Sequence, residues 1–209
     1  MPRLRTILIA TILAGFASGR RARGAARARI LWFVLAGWCA AAPARAATPA
    51  TSREYDLKAV FLYNIASFVD WPPTAFASAD APFVIGIVGD DPFGRVLDDV
   101  VANEYVRKHP LVVRRFHRND DLTGCHVLFI SGSESRRLRE ILRPLRGRPI
   151  LTVGDVTGFA ESGGMVGFAT QGDHVQIFVN PQAARAVDLV VSSKLLEVAH
   201  VVDAVAVLP

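Results

Sequence analysis

The chain has 209 residues, of which 51% are hydrophobic and 21% charged, and its formal net charge is +5. Eight of its 24 Lys and Arg residues precede Ala47, whereas all 19 Asp and Glu residues follow it. From Ala47 onward the chain therefore holds 16 basic and 19 acidic residues, a net charge of −3. Because this part of the chain is slightly acidic, its net charge gives no support to nucleic-acid binding. Its length suits one domain with its own core.

Residues 1–46 are predicted to form a signal peptide. An arginine-rich run, residues 20–29, precedes the apolar stretch 30–42, and Ala44-Arg45-Ala46 supplies the small side chains that signal peptidase requires. We place cleavage after Ala46, which predicts export to the periplasm. The alternative is that the apolar stretch remains as a membrane anchor, although it is shorter than the ~20 residues of a spanning helix.

The cysteine count limits disulfide formation. Cys39 lies in the predicted signal peptide, so the exported part keeps Cys125 alone and has no intramolecular disulfide. Cys125 precedes the apolar run 127–130, which favours a buried thiol at the start of a strand. The alternative is an intermolecular disulfide between two copies of Cys125.

The exported part begins with a predicted amphipathic helix. Thr51-Ser52-Arg53-Glu54 has the pattern of a capping box, and Pro72 ends the helix because the residue before a proline avoids the α region. Helical spacing places these residues on one face, which we expect to pack on the core: Leu57, Val60, Phe61, Ile65 and Phe68.

The rest of residues 47–209 alternates strands with helices. This pattern predicts an α/β fold, a single Rossmann-like domain with a mostly parallel sheet and helices on both faces. Predicted strands are 83–89, 111–116, 126–131 and 149–153; predicted helices are 93–102, 133–143, 181–187 and 192–202. Segments 165–169 and 175–179, joined by Gln171-Gly172-Asp173, predict a C-terminal β-hairpin at the antiparallel edge of the sheet.

No motif predicts a catalytic, cofactor-binding or metal-binding residue. Gly86 and Gly89 lack the spacing of a nucleotide loop, and Ser131-Gly132-Ser133 lacks the flanks of a nucleophile elbow. The five histidines show no ligand-like spacing. A hydrolase would require a nucleophile and a base that only the fold brings together.

An arginine-rich segment is the strongest charge feature of the exported part. Arg136, Arg139 and Arg143 follow helical steps and share one face. This face is either solvated or a docking surface for an anionic ligand, such as cell-wall polymer or lipid head groups.

Several segments together resemble the YfiR family, the YfiR/HmsC-like proteins. The most specific runs from Leu57 to Pro72 and contains Lys58-Ala59-Val60-Phe61-Leu62-Tyr63-Asn64 and Trp71-Pro72. Further matching segments follow in order along the chain: 87–94, 125–131, 150–155, 158–160, 163–164 and 192–199. The resemblance covers nearly the whole of residues 47–209.

The resemblance implies a regulator rather than an enzyme. Such proteins lie in the periplasm, form dimers, and repress an inner-membrane diguanylate cyclase by contact with its periplasmic portion, which restrains cyclic di-GMP and biofilm formation. This sequence departs from the family by its lone Cys125, which speaks against intramolecular redox control. It also has Phe178 where the family favours glutamate.

The segment from Phe159 to Asn180 is our predicted contact surface for the cyclase, because it combines glycines, apolar residues expected to be exposed, and a hairpin edge. The predicted partner-binding residues are Phe159, Met165, Phe168, Phe178 and Asn180; the alternative for the four apolar residues is that they belong to the core. The alternative function is a periplasmic receptor for a small molecule, without a cyclase partner. Its ligand would occupy the crevice at the switch point of the parallel sheet.

Overall fold

Apolar runs rich in β-branched residues become the central strands of a mixed sheet. The computed structural model of the chain describes residues 49–118, 120–172 and 174–203, with side chains from Arg53 onward. The predicted signal peptide and its cleavage site lie outside these residues. The strands are β1 (Val69–Asp70), β2 (Phe83–Val88), β3 (Tyr105–Val106), β4 (His109–Phe116), β5 (Val127–Ile130), β6 (Leu151–Gly154), β7 (Val166–Gln171), β8 (His174–Val179), β9 (Val190–Val191) and β10 (His200–Val201).

Eight of these strands form one sheet in the order β10-β8-β7-β6-β5-β2-β4-β3, and β1 pairs with β9 separately. The pairs β7–β6, β6–β5, β5–β2, β2–β4 and β10–β8 are parallel. The β7–β8 and β3–β4 pairs are antiparallel. The predicted α/β fold with a mostly parallel sheet is therefore confirmed. The Rossmann-like assignment stays a prediction.

Helices cover both faces of the sheet. They are α1 (Pro49–Ser67), α2 (Arg95–Val101), α3 (Leu138–Leu142), α4 (Pro181–Arg185) and α5 (Ser193–Val198). Alternate residues of β2 point to opposite faces, so Ile85 packs in one core cluster with Leu62 of α1 and Leu97 of α2, while Val84 packs in a second with Leu138 of α3. Within the described residues no helix has the length and hydrophobicity of a membrane span.

Four short 3₁₀ helices complete the described elements: Pro73–Ala75, Leu122–Gly124, Gly132–Arg137 and Arg143–Leu145. The predicted helix over 133–143 is therefore mostly 3₁₀, with α3 as one α-helical turn inside it. Pro144 lies in the first positions of the last 3₁₀ helix, where a backbone N–H would have no partner within the helix, so the missing N–H costs no hydrogen bond.

The end of the chain differs from the prediction. The β7–β8 hairpin forms, but β10 pairs in parallel with β8 through His200 and Val201, so the hairpin is not the last element of the sheet. The predicted helix over 192–202 ends at Val198 instead. Two β-branched residues at 201 and 202 follow it, and strand pairing uses them better than a helix would. Between His174 and Ile177 the outer edge of β8 has no strand partner among the described residues.

The packed face of α1 overlaps only in part with the predicted one, since Ile65 is buried and Phe61 packs against the core as predicted. Its buried residues are Lys58, Ala59, Leu62, Ile65 and Ala66, whereas three of the predicted core residues, Leu57, Val60 and Phe68, are exposed. The helix carries apolar side chains on two faces, and the face that contains Ala59 and Ala66 packs against the core. Alanine brings the helix axis close to the strands, which the longer side chains at 57 and 60 would prevent.

Candidate functional site

Four of the five residues predicted to bind a partner are buried: Phe159, Met165, Phe168 and Asn180. Asn180 caps α4, since its Oδ1 accepts from the Ala183 N–H at 2.9 Å and its Nδ2 donates to the Ala160 carbonyl at 3.2 Å. Phe159, Met165 and Phe168 therefore follow the core alternative, although the segment was expected to carry exposed apolar residues. Contact between the segment from Phe159 to Asn180 and a partner stays a prediction.

The ring of Phe159 explains two glycines of this segment. A Cβ atom built on Gly164 would lie 2.1 Å from Phe159 Cε1, and one on Gly154 would lie 2.6 Å from its Cδ2. The glycines therefore create the space that the ring fills. The sequence suggested a contact surface here because a glycine near an aromatic residue gives the same sequence pattern whether the aromatic ring packs against the glycine or faces solvent.

Phe178 is the one predicted partner-binding residue that is only half-buried. Its ring stacks on His200 of β10 with centroids 5.0 Å apart. Because Phe178 and His200 are paired neighbours in the sheet, the two side chains form a small aromatic patch at the edge of the β7–β8 hairpin.

The thiol of Cys125 is buried. Its Sγ donates to the Leu122 carbonyl at 2.8 Å, and burial raises the pKa of the thiol to about 12. The thiolate is the species that forms disulfides, so this environment opposes bridging between two folded copies. The intermolecular disulfide of Cys125 stays a prediction that this geometry does not favour.

Helix α1 presents an apolar stripe to solvent. Leu57 is 40% exposed, Val60 42% and Phe68 37%. Leu57 and Val60 are one helical step apart, Asn64 follows on the same side of α1, and Phe68 comes directly after the last helical residue, Ser67. We call Leu57, Val60 and Phe68 the α1 stripe. Neighbouring exposed apolar side chains such as Leu57 and Val60 are found at surfaces that a partner covers.

The α1 stripe adjoins the hairpin that the sequence indicated. Phe61, which is half-buried beside the stripe, packs on Phe168 of β7 with ring centroids 6.4 Å apart. One turn of helix before the stripe, Glu54 accepts a hydrogen bond of 2.6 Å from the Thr170 hydroxyl. Helix α1 is therefore held against the β7–β8 hairpin at two points.

A buried ion-pair cluster lies where α1 crosses the carboxyl end of β6. Lys58 Nζ is 2.6 Å from Glu54 Oε1 and 3.6 Å from Asp155 Oδ2, and only 3% of the Lys58 side chain and 5% of the Asp155 side chain are exposed. The Tyr55 hydroxyl donates to Asp155 at 2.8 Å, and Lys58 Nζ lies 4.6 Å from the centre of the Tyr55 ring. We call Glu54, Tyr55, Lys58 and Asp155 the Lys58 cluster.

The electrostatics of the Lys58 cluster follow from burial and pairing. Burial acts to raise the pKa of Glu54, but hydrogen bonds from Lys58 and Thr170 outweigh it and hold that pKa below its usual value. Burial, and then the hydrogen bond to Asp155, raises the pKa of the Tyr55 hydroxyl. The second carboxylate oxygen of Asp155, Oδ1, is buried with no hydrogen-bond partner among the described residues. This arrangement anchors α1 to the sheet.

The switch point of the parallel sheet, between β2 and β5, is filled by the protein itself. The Asp90 N–H donates to Ser133 Oγ at 3.0 Å, and a Cβ on Gly89 would lie 2.6 Å from the same oxygen and 3.1 Å from Ser131 Cβ. A ligand in this crevice would have to displace these contacts. The described residues also contain no group of three or more His, Cys, Asp or Glu side chains placed to hold a metal.

Comparison with protein families decides what the chain is related to. A family model described as YfiR/HmsC-like matches residues 55–200, which is more than half of the chain. The chain belongs to the YfiR/HmsC-like family. This family consists of periplasmic regulatory proteins. No curated protein matches the chain.

The segments that carry the YfiR/HmsC-like resemblance meet in space. Lys58 comes from the first segment, Asp90 from the second, Ser131 from the third and Asp155 from the fourth, and all four lie at the carboxyl edge of the parallel strands or against it. The sequence did not reveal the Lys58 cluster, because Asp155 is 97 or more residues from the other three members in the chain. The matching segments do contain Lys58 and Asp155, but nothing in the sequence pairs them.

Proposed function

We propose that this protein is a periplasmic repressor of an inner-membrane diguanylate cyclase, which it restrains by contact with the cyclase's periplasmic portion. Membership of the YfiR/HmsC-like family supports a regulator in cyclic di-GMP signalling. In this proposal residues 1–46 are removed on export, and the exported part acts as a homodimer. Cyclic di-GMP output and biofilm formation rise when the restraint is lost.

The α1 stripe is the observation that carries the proposed contact. Leu57 and Val60 are each about 40% exposed, so burying the rest of either side chain against a partner contributes roughly 0.6–1.2 kcal/mol. Phe61, beside the stripe, packs on the β7–β8 hairpin, and the outer edge of β8 over residues 174–177 offers backbone groups to a partner strand. We propose that the cyclase covers the α1 stripe and this edge together.

The test replaces the stripe without touching the core. Leu57→Asp combined with Val60→Asp places two charges where the partner would bury apolar atoms. We expect capture of the cyclase by the tagged protein to fall at least tenfold, and cellular cyclic di-GMP to rise to the level of a deletion strain. Cyclase in the eluate and cyclic di-GMP in the cell are measured in parallel.

Tyr105→Asp is the matched control, because Tyr105 is also an exposed apolar residue but lies in β3 at the opposite edge of the sheet. It should leave both readings unchanged. A deletion strain with unaltered cyclic di-GMP, in cells that express the cyclase, contradicts the proposed function. Equal effects of the stripe and Tyr105 variants contradict the proposed surface only.

A further inference from the structure

An apolar cavity opens beside α3, at the amino-terminal edge of β6 and β7. It has a volume of about 250 Å³. Most of its walls are apolar, with Arg146 and Thr152 as the polar side chains of the lining, and the apolar residues that the argument uses are Leu142, Leu145, Ile150, Met165, Ala183 and Val187. Met165 thus lines a cavity rather than a flat contact surface.

A second, polar cavity of about 530 Å³ adjoins the first, because Gly163 lines both. Arg136 and Arg139 line the polar cavity, and Arg146 lines the apolar one. One carboxylate, Glu161, is also in the polar lining. The combined site therefore has an aliphatic end and an end where positive charge exceeds negative.

These arginines are available to a ligand. Arg137, on the same segment, is held between Glu134 and Glu140 at 2.9 Å each. Arg136, Arg139 and Arg146 form no ion pair within the described parts of the chain. An unpaired guanidinium beside an apolar cavity offers a carboxylate a bidentate, charge-assisted hydrogen bond.

We propose that this pair of cavities binds a single-chain anionic amphiphile, an acyl carboxylate whose chain fills the apolar cavity and whose head group meets the arginines. An apolar cavity of about 150 Å³ takes up benzene, so 250 Å³ suits roughly ten non-hydrogen atoms in a slender chain. That volume is too small for the apolar face of a partner helix. The site is separate from the α1 stripe and does not rest on the proposed function.

The probe is octanoate, titrated by calorimetry into the protein purified from cells that express the full-length chain, with 1-octanol as the uncharged counterpart. We expect saturable binding of one octanoate per chain and about tenfold weaker binding of octanol. Arg139→Gln combined with Arg146→Gln should weaken octanoate to the level of octanol, whereas Arg53→Gln, an exposed arginine on α1, should change neither.

Ala186→Trp blocks the apolar cavity from a position that is exposed, so the core is not disturbed. It should abolish binding of both probes while the melting temperature stays unchanged, and Ala77→Trp, an exposed alanine elsewhere, should abolish neither. Absent or unsaturable octanoate binding overturns the proposal, as does equal affinity for octanol. Loss of cyclase capture by Ala186→Trp, without octanoate binding to the unaltered protein, assigns the cavity to a side chain of a protein partner and also overturns the proposal.

Discussion

At the scale of single residues, Lys58 is the side chain whose environment departs most from its chemistry. It lies on helix α1 with only 3% of its surface exposed, close to the 0% of Leu62 one turn further along the helix. A buried ammonium is tolerated when it is paired and hydrogen-bonded, and here Glu54 and Asp155 supply the pairing. Nothing in the spacing of the sequence indicated that a carboxylate after β6 would meet this helix.

Lys58→Met tests the anchoring role of the cluster. The methionine fills most of the space but leaves the Asp155 carboxylate buried without its cation, and breaking a buried pair in this way costs about 3–5 kcal/mol. We expect the free energy of unfolding, measured in urea, to fall by about that amount. Lys108→Met, at an exposed position, should change it by less than about 0.5 kcal/mol. A loss no larger than that of Lys108→Met would mean that the cluster contributes little to stability.

At the scale of elements, periodicity predicted the existence of α1, the central strands and the β7–β8 hairpin, and the structure confirms each of them. It misplaced most of the buried face of α1, because the helix has apolar residues on two faces and only packing against the rest of the fold decides between them. The late helix was predicted too long for a related reason. Pairing with β8 competes with helix formation at His200 and Val201, and a sequence window does not contain the partner strand.

Strand β10 protects part of the sheet edge, and this gives a prediction for the element. The Val202 N–H donates to the Val179 carbonyl at 2.8 Å. Val202→Pro removes that donor, which should lower the free energy of unfolding by about 1 kcal/mol and expose more of the β8 edge. We expect light scattering to show larger species than for Val202→Ala, which keeps the N–H. Identical scattering from the two variants would mean that β10 does not protect the edge.

At the scale of the whole molecule, the division of charge along the chain matters more than its total. Removal of residues 1–46 takes away eight arginines and no acidic residue, so the net charge changes from +5 to −3. We expect the protein recovered from the periplasm to begin at Ala47 in N-terminal sequencing and to focus at acidic pH. Ala46→Phe, which puts a bulky side chain at the cleavage site, should retain the longer, basic form. A protein that starts at Met1 in the periplasm would contradict the predicted cleavage.

The sequence by itself determined the class of fold, the order of its main elements and the family. These depend on local periodicity and on motifs that are contiguous in the chain. Only the tertiary structure decided that Phe159, Met165 and Phe168 are buried, that Leu57 and Val60 are exposed, and that Lys58 meets Asp155. Burial and ion pairing depend on which surfaces pack together, and a helix with apolar residues on two faces has one of them buried only when the rest of the fold covers it.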